Sequence, residues 1–416
     1  MSVILVIFPK GFYTMINVAL LGFGVVGSGC AEVLTAGKAK IEKTIGEEIS
    51  IKYILDLREF PDSPFGHLVV HDFNIILNDP EVSVVAEMMG GSHPAYDFTK
   101  ALLLAGKSVV TSNKEVVSTF GVELLQLAAE NGVRYLFEAS VGGGIPIIRP
   151  MINDLAANEI VEVNGILNGT TNFILTKMKN EGLDYASVLA EAQKLGYAEA
   201  NPAADVDGVA AARKIAILAA IACGKLASPS VIPTKGIRDI TEADIKIARA
   251  LDCSIKLIGH YGKNENGKDE MCVAPHFVPA TSPLAAIDDV FNGIMVEGNM
   301  LGTSLFYGKG AGKLPTASAV CSDIIDAATT PAASAKNTVW TTANEDEFAS
   351  ADEIKTIRCV ILKSGSMAER TADESGIYER KCTVGKYVAM MTKAPVTEKE
   401  VAMDSEEFVK SFPVLA

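Results

Sequence analysis

Ile16-Asn17-Val18-Ala19-Leu20-Leu21-Gly22-Phe23-Gly24-Val25-Val26-Gly27 is a short apolar run that ends in a glycine turn. Its length and flanks predict a buried parallel strand over Ile16 to Leu21, and a helix follows from about Val25 to Thr44. In a G-x-G-x-x-G turn the first glycine allows the tight bend and the second lets backbone approach a pyrophosphate. The third lets the helix pack closely on the strand. The helix N-terminus then presents unpaired N–H groups to phosphate. The cofactor-contacting positions expected here are Gly22, Phe23, Gly24, Val25, Val26 and Gly27. The next strand, Ile49 to Leu57, carries Asp56, farther beyond Gly27 than the usual ~20 residues because the first helix is long. An acidic group there suits the ribose hydroxyls of NAD, whereas Arg58, two residues on, suits a 2′-phosphate, so NAD and NADP both stay open.

Outward from the turn, strands and helical stretches alternate. Val82 to Met88 reads as a strand ending at Gly90-Gly91, with Ser92 beyond it. Ala95 to Ala105 reads as a helix, Ser108 to Thr111 as a strand, Val122 to Asn131 as a helix and Val133 to Phe137 as a strand. That alternation predicts an α/β, Rossmann-type doubly wound parallel sheet over 15–139, with 1–14 as an N-terminal extension. The pattern changes at Glu138-Ala139-Ser140-Val141-Gly142-Gly143-Gly144-Ile145-Pro146. From there 140–313 reads as an α+β substrate-binding and dimerisation domain. Its strands are expected at Ile160–Leu167, Met271–Val278 and Gly293–Val296, and its helices near Thr171–Asn180, Tyr185–Lys194 and Val206–Cys223. A helix at about 314–328 returns to close the first domain. Residues 329–350 read as a linker, polar over Asn337 to Ser350, and 351–416 as a small α+β appendage with strands at Lys355–Leu362 and Lys386–Met391.

Composition narrows the function classes. Asp and Glu outnumber Lys and Arg, 51 to 37, for a net charge of −14. Sequence-independent binding to nucleic acid or to an anionic membrane needs clustered positive charge, so neither partner is expected. The seven cysteines are scattered and odd in number, which predicts reduced thiols in a cytoplasmic protein. None of the five histidines pairs at H-x-x-x-H spacing, so no transition-metal site is expected. No apolar run approaches the ~18 residues of a membrane span.

Two further constellations carry chemistry. Lys114, in Val110-Thr111-Ser112-Asn113-Lys114, stands at the carboxyl end of a sheet strand, where doubly wound sheets bind their ligands. An ordinary surface lysine opening a helix fits the same position. The second constellation is Leu195-Gly196-Tyr197-Ala198-Glu199 through Asp205 and Asp207 into a helix that contains Lys214. At helical spacing Asp207, Ala210 and Lys214 share a face. Carboxylates beside a lysine suit an amino-acid ammonium and a proton transfer at its hydroxyl. A helix N-cap at Asp205 and a solvated Lys214 fit the spacing as well.

Taken together, these segments resemble homoserine dehydrogenase. The likeness is carried by Leu21 to Gly29, Met88-Met89-Gly90-Gly91-Ser92, Thr111-Ser112-Asn113-Lys114 and Glu138 to Pro146. It continues through Gly165-Ile166-Leu167-Asn168-Gly169-Thr170-Thr171-Asn172, Glu191 to Glu199 and Phe306-Tyr307-Gly308-Lys309-Gly310-Ala311-Gly312. It runs in order from about residue 15 to 328. The resemblance implies NAD(P)-dependent interconversion of L-homoserine and L-aspartate 4-semialdehyde, on the way to threonine and methionine. It implies Lys114 and Lys214 as the catalytic pair, and Thr170, Gly196, Tyr197, Glu199 and Asp205 around the substrate. Gly90, Ser92, Lys114 and Gly312 would lie on the cofactor. Glu138, Val141, Gly143 and Ile145 would form a monovalent-cation site for an ion such as Na+, mostly from backbone oxygens. A homodimer or homotetramer is implied.

Two departures stand out. The family places an Asp four residues before the helical lysine, and this chain has Ala210 there. That predicts weakened activity, or a non-catalytic paralogue that binds cofactor or amino acid in a regulatory role. The C-terminal segment sits where some members carry an ACT-like regulatory domain. Its first turn reads Lys363-Ser364-Gly365-Ser366-Met367-Ala368, without the usual Asp and Pro, so its effector stays open and dimerisation is an equal role for it.

Overall fold

The computed structural model describes residues 15–334, 338–402 and 405–415, and the extension expected over 1–14 lies outside them. The first unit runs β1 (Met15–Leu21), α1 (Val25–Ile45), β2 (Glu48–Leu55), β3 (Val69–Val70), α2 (Phe73–Leu77) and β4 (Val82–Glu87). It continues through α3 (Ala95–Leu104), β5 (Ser108–Thr111), α4 (Lys114–Glu130) and β6 (Tyr135–Leu136). Its strands are all parallel, in the order β3-β2-β1-β4-β5-β6. The strand order reverses between β1 and β4, which opens a crevice at their carboxyl ends. Val18 to Leu21 and Val84 to Ala86 are buried, as expected of strands covered on both faces. The short β3 and α2 are absent from the sequence reading, because two- and five-residue elements show no periodicity.

The second unit comprises β7 (Ile160–Ile166), α5 (Gly169–Glu181), α6 (Tyr185–Lys194), α7 (Ala203–Val206), α8 (Val209–Cys223) and β8 (Lys225–Leu226). After these come α9 (Glu242–Ala250), β9 (Cys253–Lys263), β10 (Asp269–Pro279), β11 (Phe291–Gly298), β12 (Gly302–Lys309) and α10 (Lys313–Thr329). A five-stranded antiparallel sheet has the order β10-β9-β7-β11-β12. The helix predicted from Val206 to Cys223 begins at Val209, because Gly208 takes a left-handed φ of +86° and separates it from the short α7, which ends at Val206. Most of α8 is buried, and it packs on α4, β7, β9 and β10. Strands β9 and β12 escaped the sequence reading. β9 is buried on both faces over most of its length and so lacks alternation. The helix α10 packs on α1 through Cys30, Ala317 and Val320, which seats the returning helix on the first sheet.

The stretch expected to be a polar linker is packed down. Trp340 is 4% exposed, tilts against Phe137 at 5.4 Å between ring centres, and β13 (Thr341–Thr342) pairs with β8. The last unit is β14 (Arg358–Lys363), α11 (Met367–Ser375), β15 (Tyr378–Val384), β16 (Tyr387–Thr392), α12 (Glu398–Val401) and β17 (Phe408–Pro413). This is a β-α-β-β-α-β antiparallel sheet of order β15-β16-β14-β17, as in ferredoxin-like domains. It joins the second sheet at β10: Phe412 stacks on Phe277, and Leu415 N–H donates to the Phe277 carbonyl at 2.9 Å. All seven cysteines are free thiols. Among the described residues no helix is long and apolar enough to cross a membrane.

Candidate active site

The glycine turn sits at the carboxyl end of β1. Gly22 has φ +91°, and a Cβ on Gly27 would lie 2.0 Å from the Gly22 carbonyl oxygen, so both positions need glycine. Gly24 is the N-cap of α1 and meets nothing within 4 Å of its missing Cβ, and Val25 is exposed beside it. A cleft of about 500 Å³ opens here between the ends of β1, β2 and β4, lined by Gly22, Gly24, Asp56, Arg58, His71 and Gly90, among others.

Asp56 is not a free acceptor at the rim of that cleft. Its Oδ2 takes the Phe23 amide at 2.8 Å, and the Arg58 guanidinium chelates both oxygens at 2.9 Å. Arg58 and the Phe23 amide hold the Asp56 carboxyl well below the usual carboxylate range, against the opposing effect of burial. Arg58 lies over the Phe60 ring yet is 63% exposed. His71 donates Nδ1–H to the Asp56 carbonyl, which with Glu59 raises its pKa. The exposed Arg58 guanidinium therefore stands at the cleft rim already paired with Asp56, so the two residues that the sequence weighed as alternatives are bound to each other.

At the ends of β4 and β5, buried Glu87 accepts from Thr111 Oγ1 and from the Met89 amide, both at 2.7 Å. Burial raises its pKa. Asn113 caps α4, accepting from the Glu115 and Val116 amides and donating to the Gly91 carbonyl at 2.7 Å. Lys114 is thereby the first residue of α4, above the Gly90-Gly91-Ser92 loop. The Ser92 hydroxyl donates to Glu115 Oε1 at 2.5 Å, so this expected cofactor contact is turned to a protein partner.

The other half of the site comes from the second unit. Thr170 Oγ1 donates to the Tyr197 carbonyl at 2.6 Å and approaches Asp205 at 3.4 Å, and Asn168 donates to Asp205 at 2.7 Å. Thr170, Tyr197 and Asp205 thus form one network, with Gly196 turning the chain into it at φ +77°. Glu199 is exposed on the same loop, and its carbonyl holds Gln193. Lys214 donates to the Leu167 carbonyl at 2.9 Å. Burial first and the Lys114 cation second pull its pKa down to about 7, while Asp205 opposes them. The two lysines predicted as a pair, one from each unit, therefore lie within electrostatic reach of each other.

Asp207 corrects the sequence reading. It lies before Gly208, outside α8, and so does not share a helical face with Ala210 and Lys214. Its carboxylate is held by Arg238, with Nη2–Oδ2 at 3.0 Å. Ala210 is 5% exposed, one turn before Lys214.

The glycine-rich crossover is buried. The Glu138 carboxylate accepts from the Ile147, Ile148 and Arg149 amides at 2.7, 2.9 and 2.7 Å, so the side chain caps the helical turn that follows. Gly143, at φ +58°, lies against the Gly310-Ala311 backbone, close to Gly312 at the start of α10. Among the described residues the carbonyls of Val141, Gly143 and Ile145 accept none of the turn and loop hydrogen bonds. Sequence reasoning gave no role to Glu87, Glu115, Asn168 or Arg213, although Asn168 lies inside a quoted motif and the other three adjoin one, because none has a spacing of its own to mark it.

Comparison with known proteins covers both halves of the site. A family model described as homoserine dehydrogenase, NAD binding domain, matches residues 22–138, and one described as homoserine dehydrogenase matches 146–325. The chain is 40% identical over 315 residues to the homoserine dehydrogenase of Lactococcus lactis, covering 74% of this chain and 73% of that protein. A homoserine dehydrogenase structure from Thiobacillus denitrificans superposes with a TM-score of 0.87 at 32% identity, over 97% of this chain and 98% of that one. A hyperthermophilic archaeal homoserine dehydrogenase in complex with NADPH matches at a TM-score of 0.66 and 26% identity, over 78% of this chain and all (100%) of that one.

Proposed function

The chain belongs to the homoserine dehydrogenase family of oxidoreductases acting on a CH–OH group, and on that premise we propose that it interconverts L-homoserine and L-aspartate 4-semialdehyde, with Lys214 moving the proton at the substrate oxygen. The observation that carries this reading is the position of Lys214, beside Lys114 and the Thr170–Tyr197–Asp205 network. Bound NAD or NADP supplies the hydride exchange. The chain itself must hold the amino acid and move one proton. Asp205 and Glu199 give the negative charge an ammonium needs, and Thr170, Gly196 and Tyr197 shape the pocket. A lysine with an ordinary pKa of 10.5 is almost wholly protonated at neutral pH. At about 7 it is half neutral, on the order of a thousandfold more free base.

The direction of the pH dependence follows. Oxidation of homoserine needs neutral Lys214 as base, so its kcat/KM rises with pH through about 7. Reduction of the aldehyde needs the ammonium and falls over the same range. The test is the pH profile of kcat/KM for homoserine oxidation in the native protein and in Lys214→Ala. The limb is expected to vanish in the variant, and an identical profile overturns the acid–base assignment.

A second reading rests on Ala210. With Asp207 held by Arg238, the first turn of α8 offers Lys214 no carboxylate, so turnover is weakened. A regulatory paralogue would bind cofactor without turnover. For the cofactor, the exposed Arg58 guanidinium at the cleft rim favours acceptance of a 2′-phosphate, since the Asp56 oxygens are already engaged by Arg58 and the Phe23 amide. The backbone oxygens around Val141, Gly143 and Ile145 fit a monovalent cation, with Glu138 supplying its carbonyl because its carboxylate is engaged. Leu305 and Tyr307, exposed on the outer strand β12, support self-association as a homodimer or homotetramer. Free, mostly buried thiols are in keeping with a cytoplasmic setting.

A further inference from the structure

Lys114 and Lys214 come from different units of the fold, and the positive charge of Lys114 disfavours a second one on Lys214. Lys114 opens α4 on the dinucleotide-binding sheet, and Lys214 lies on α8 of the second unit. Residues adjacent in sequence on a helix point about 100° apart. The neighbour of each lysine can therefore bond elsewhere without competing for the lysine's own direction. Those neighbours, Glu115 and Arg213, form an ion pair, Oε2 to Nη1 at 3.0 Å. Among the described residues it is the one ion pair that joins α4 to α8. The other Glu115 oxygen takes the Ser92 hydroxyl at 2.5 Å, and Asn113, which caps Glu115, donates to Gly91.

We propose that Glu115 is a positioning residue: its carboxylate ties the Ser92 loop and α4 to Arg213 on α8, and so fixes Lys114 against Lys214 across the interface between the two units. This inference rests on the catalytic reading of the two lysines. The pair's side chains are 27% and 29% exposed, and ion pairs so placed add little to stability. Their distinctive effect is geometric. The charged groups facing Lys214 are Lys114 from α4 and Asp205 from α7, with the Leu167 carbonyl at the end of β7 accepting its hydrogen bond. Glu115 and Arg213 lie just outside that set. If the tether is cut, Lys114 withdraws and Lys214 holds its proton more tightly.

The experiment reads the titration of Lys214 directly, as the pH dependence of its acylation by an amine-reactive reagent followed by mass spectrometry, together with kcat and KM for homoserine. In Glu115→Gln the Lys214 limb is expected to move to higher pH and kcat to fall about tenfold or more, with KM little changed. Loss of the Glu115 charge alone would move the limb the other way, so an upward shift is the mark of lost geometry. The exchanged pair, Glu115→Arg with Arg213→Glu, re-forms the α4–α8 tie without the Ser92 bond, so it is expected to recover part of the lost kcat and move the limb back toward its native position. Arg213→Lys, a milder variant, is expected to move the limb in the same direction by less. A limb in Glu115→Gln that stays or moves down overturns the proposal, as does an exchanged pair no better than the worse single variant. A kinetic limb that survives in Lys214→Ala refutes the catalytic reading and this inference with it. A limb lost there but unmoved in Glu115→Gln refutes the tether alone.

Discussion

Restoring the carboxylate one turn before Lys214 is the sharpest test of how this site works. In Ala210→Asp the new side chain stands four residues before Lys214 on α8, on the face that carries the lysine. Among the described residues no carboxylate hydrogen-bonds Lys214: it is held by the Leu167 carbonyl at 2.9 Å, Asp205 acts on it only through its charge, and Asp207 is engaged with Arg238. A charge-assisted hydrogen bond to the lysine or to the substrate hydroxyl is worth roughly 1.5–3 kcal/mol. Used wholly in the transition state, that is about 10–150-fold in kcat/KM. A second effect opposes it near neutrality. A carboxylate beside Lys214 raises its pKa from about 7, so less free amine is present at pH 7. The comparison therefore belongs on the plateau of the oxidation profile, at about pH 9. Initial rates of NAD(P) reduction with homoserine should rise by that factor there, and the limb should move to higher pH. Position 210 is 5% exposed, so a thermal melt must accompany the kinetics to show that the buried acid is tolerated. If kcat/KM on the plateau is unchanged in a folded variant, Ala210 is no handicap and the reasoning fails.

Other perturbations probe the remaining features. Arg58→Ala should weaken NADP binding about tenfold or more relative to NAD, since it removes a cation that meets only a 2′-phosphate; equal losses for both cofactors by titration would show that Arg58 acts only by holding Asp56. Glu138→Gln replaces a carboxylate that accepts three amides by a group that must turn a donor toward one of them. About 2–4 kcal/mol of stability should go, read from the urea midpoint at constant slope; a loss under 1 kcal/mol would mean the turn re-forms its bonds. Gly27→Ala drives a methyl toward the Gly22 carbonyl, 2.0 Å from the ideal Cβ position, so cofactor affinity should drop sharply in calorimetry; unchanged affinity would show that the turn can relax.

The Rossmann half was readable because its physics is local. Buried parallel strands give continuous apolar runs such as Val18 to Leu21, and a phosphate-binding turn needs glycine at fixed spacing. The motifs around Lys114, Thr170 and Lys214 were legible for the same reason, since each lies on one element or the turn beside it. Asp207 shows the limit of periodicity. A helical wheel placed it with Ala210 and Lys214, but a left-handed Gly208 ends one helix and starts another between them. Trp340 shows a second limit, for one buried ring in a polar segment leaves no pattern although it packs the stretch against Phe137.

From its sequence alone this protein was bound to hold a dinucleotide at the end of β1 and to carry two lysines in recognisable motifs. Only the tertiary structure brought those lysines together, because α4 and α8 belong to different sheets and no sequence spacing encodes their approach. Burial and a neighbouring cation, both products of that packing, set the pKa of Lys214 at about 7. The residues that tie the two helices together, Glu115 and Arg213, become visible only in space, where each finds its partner 3.0 Å away.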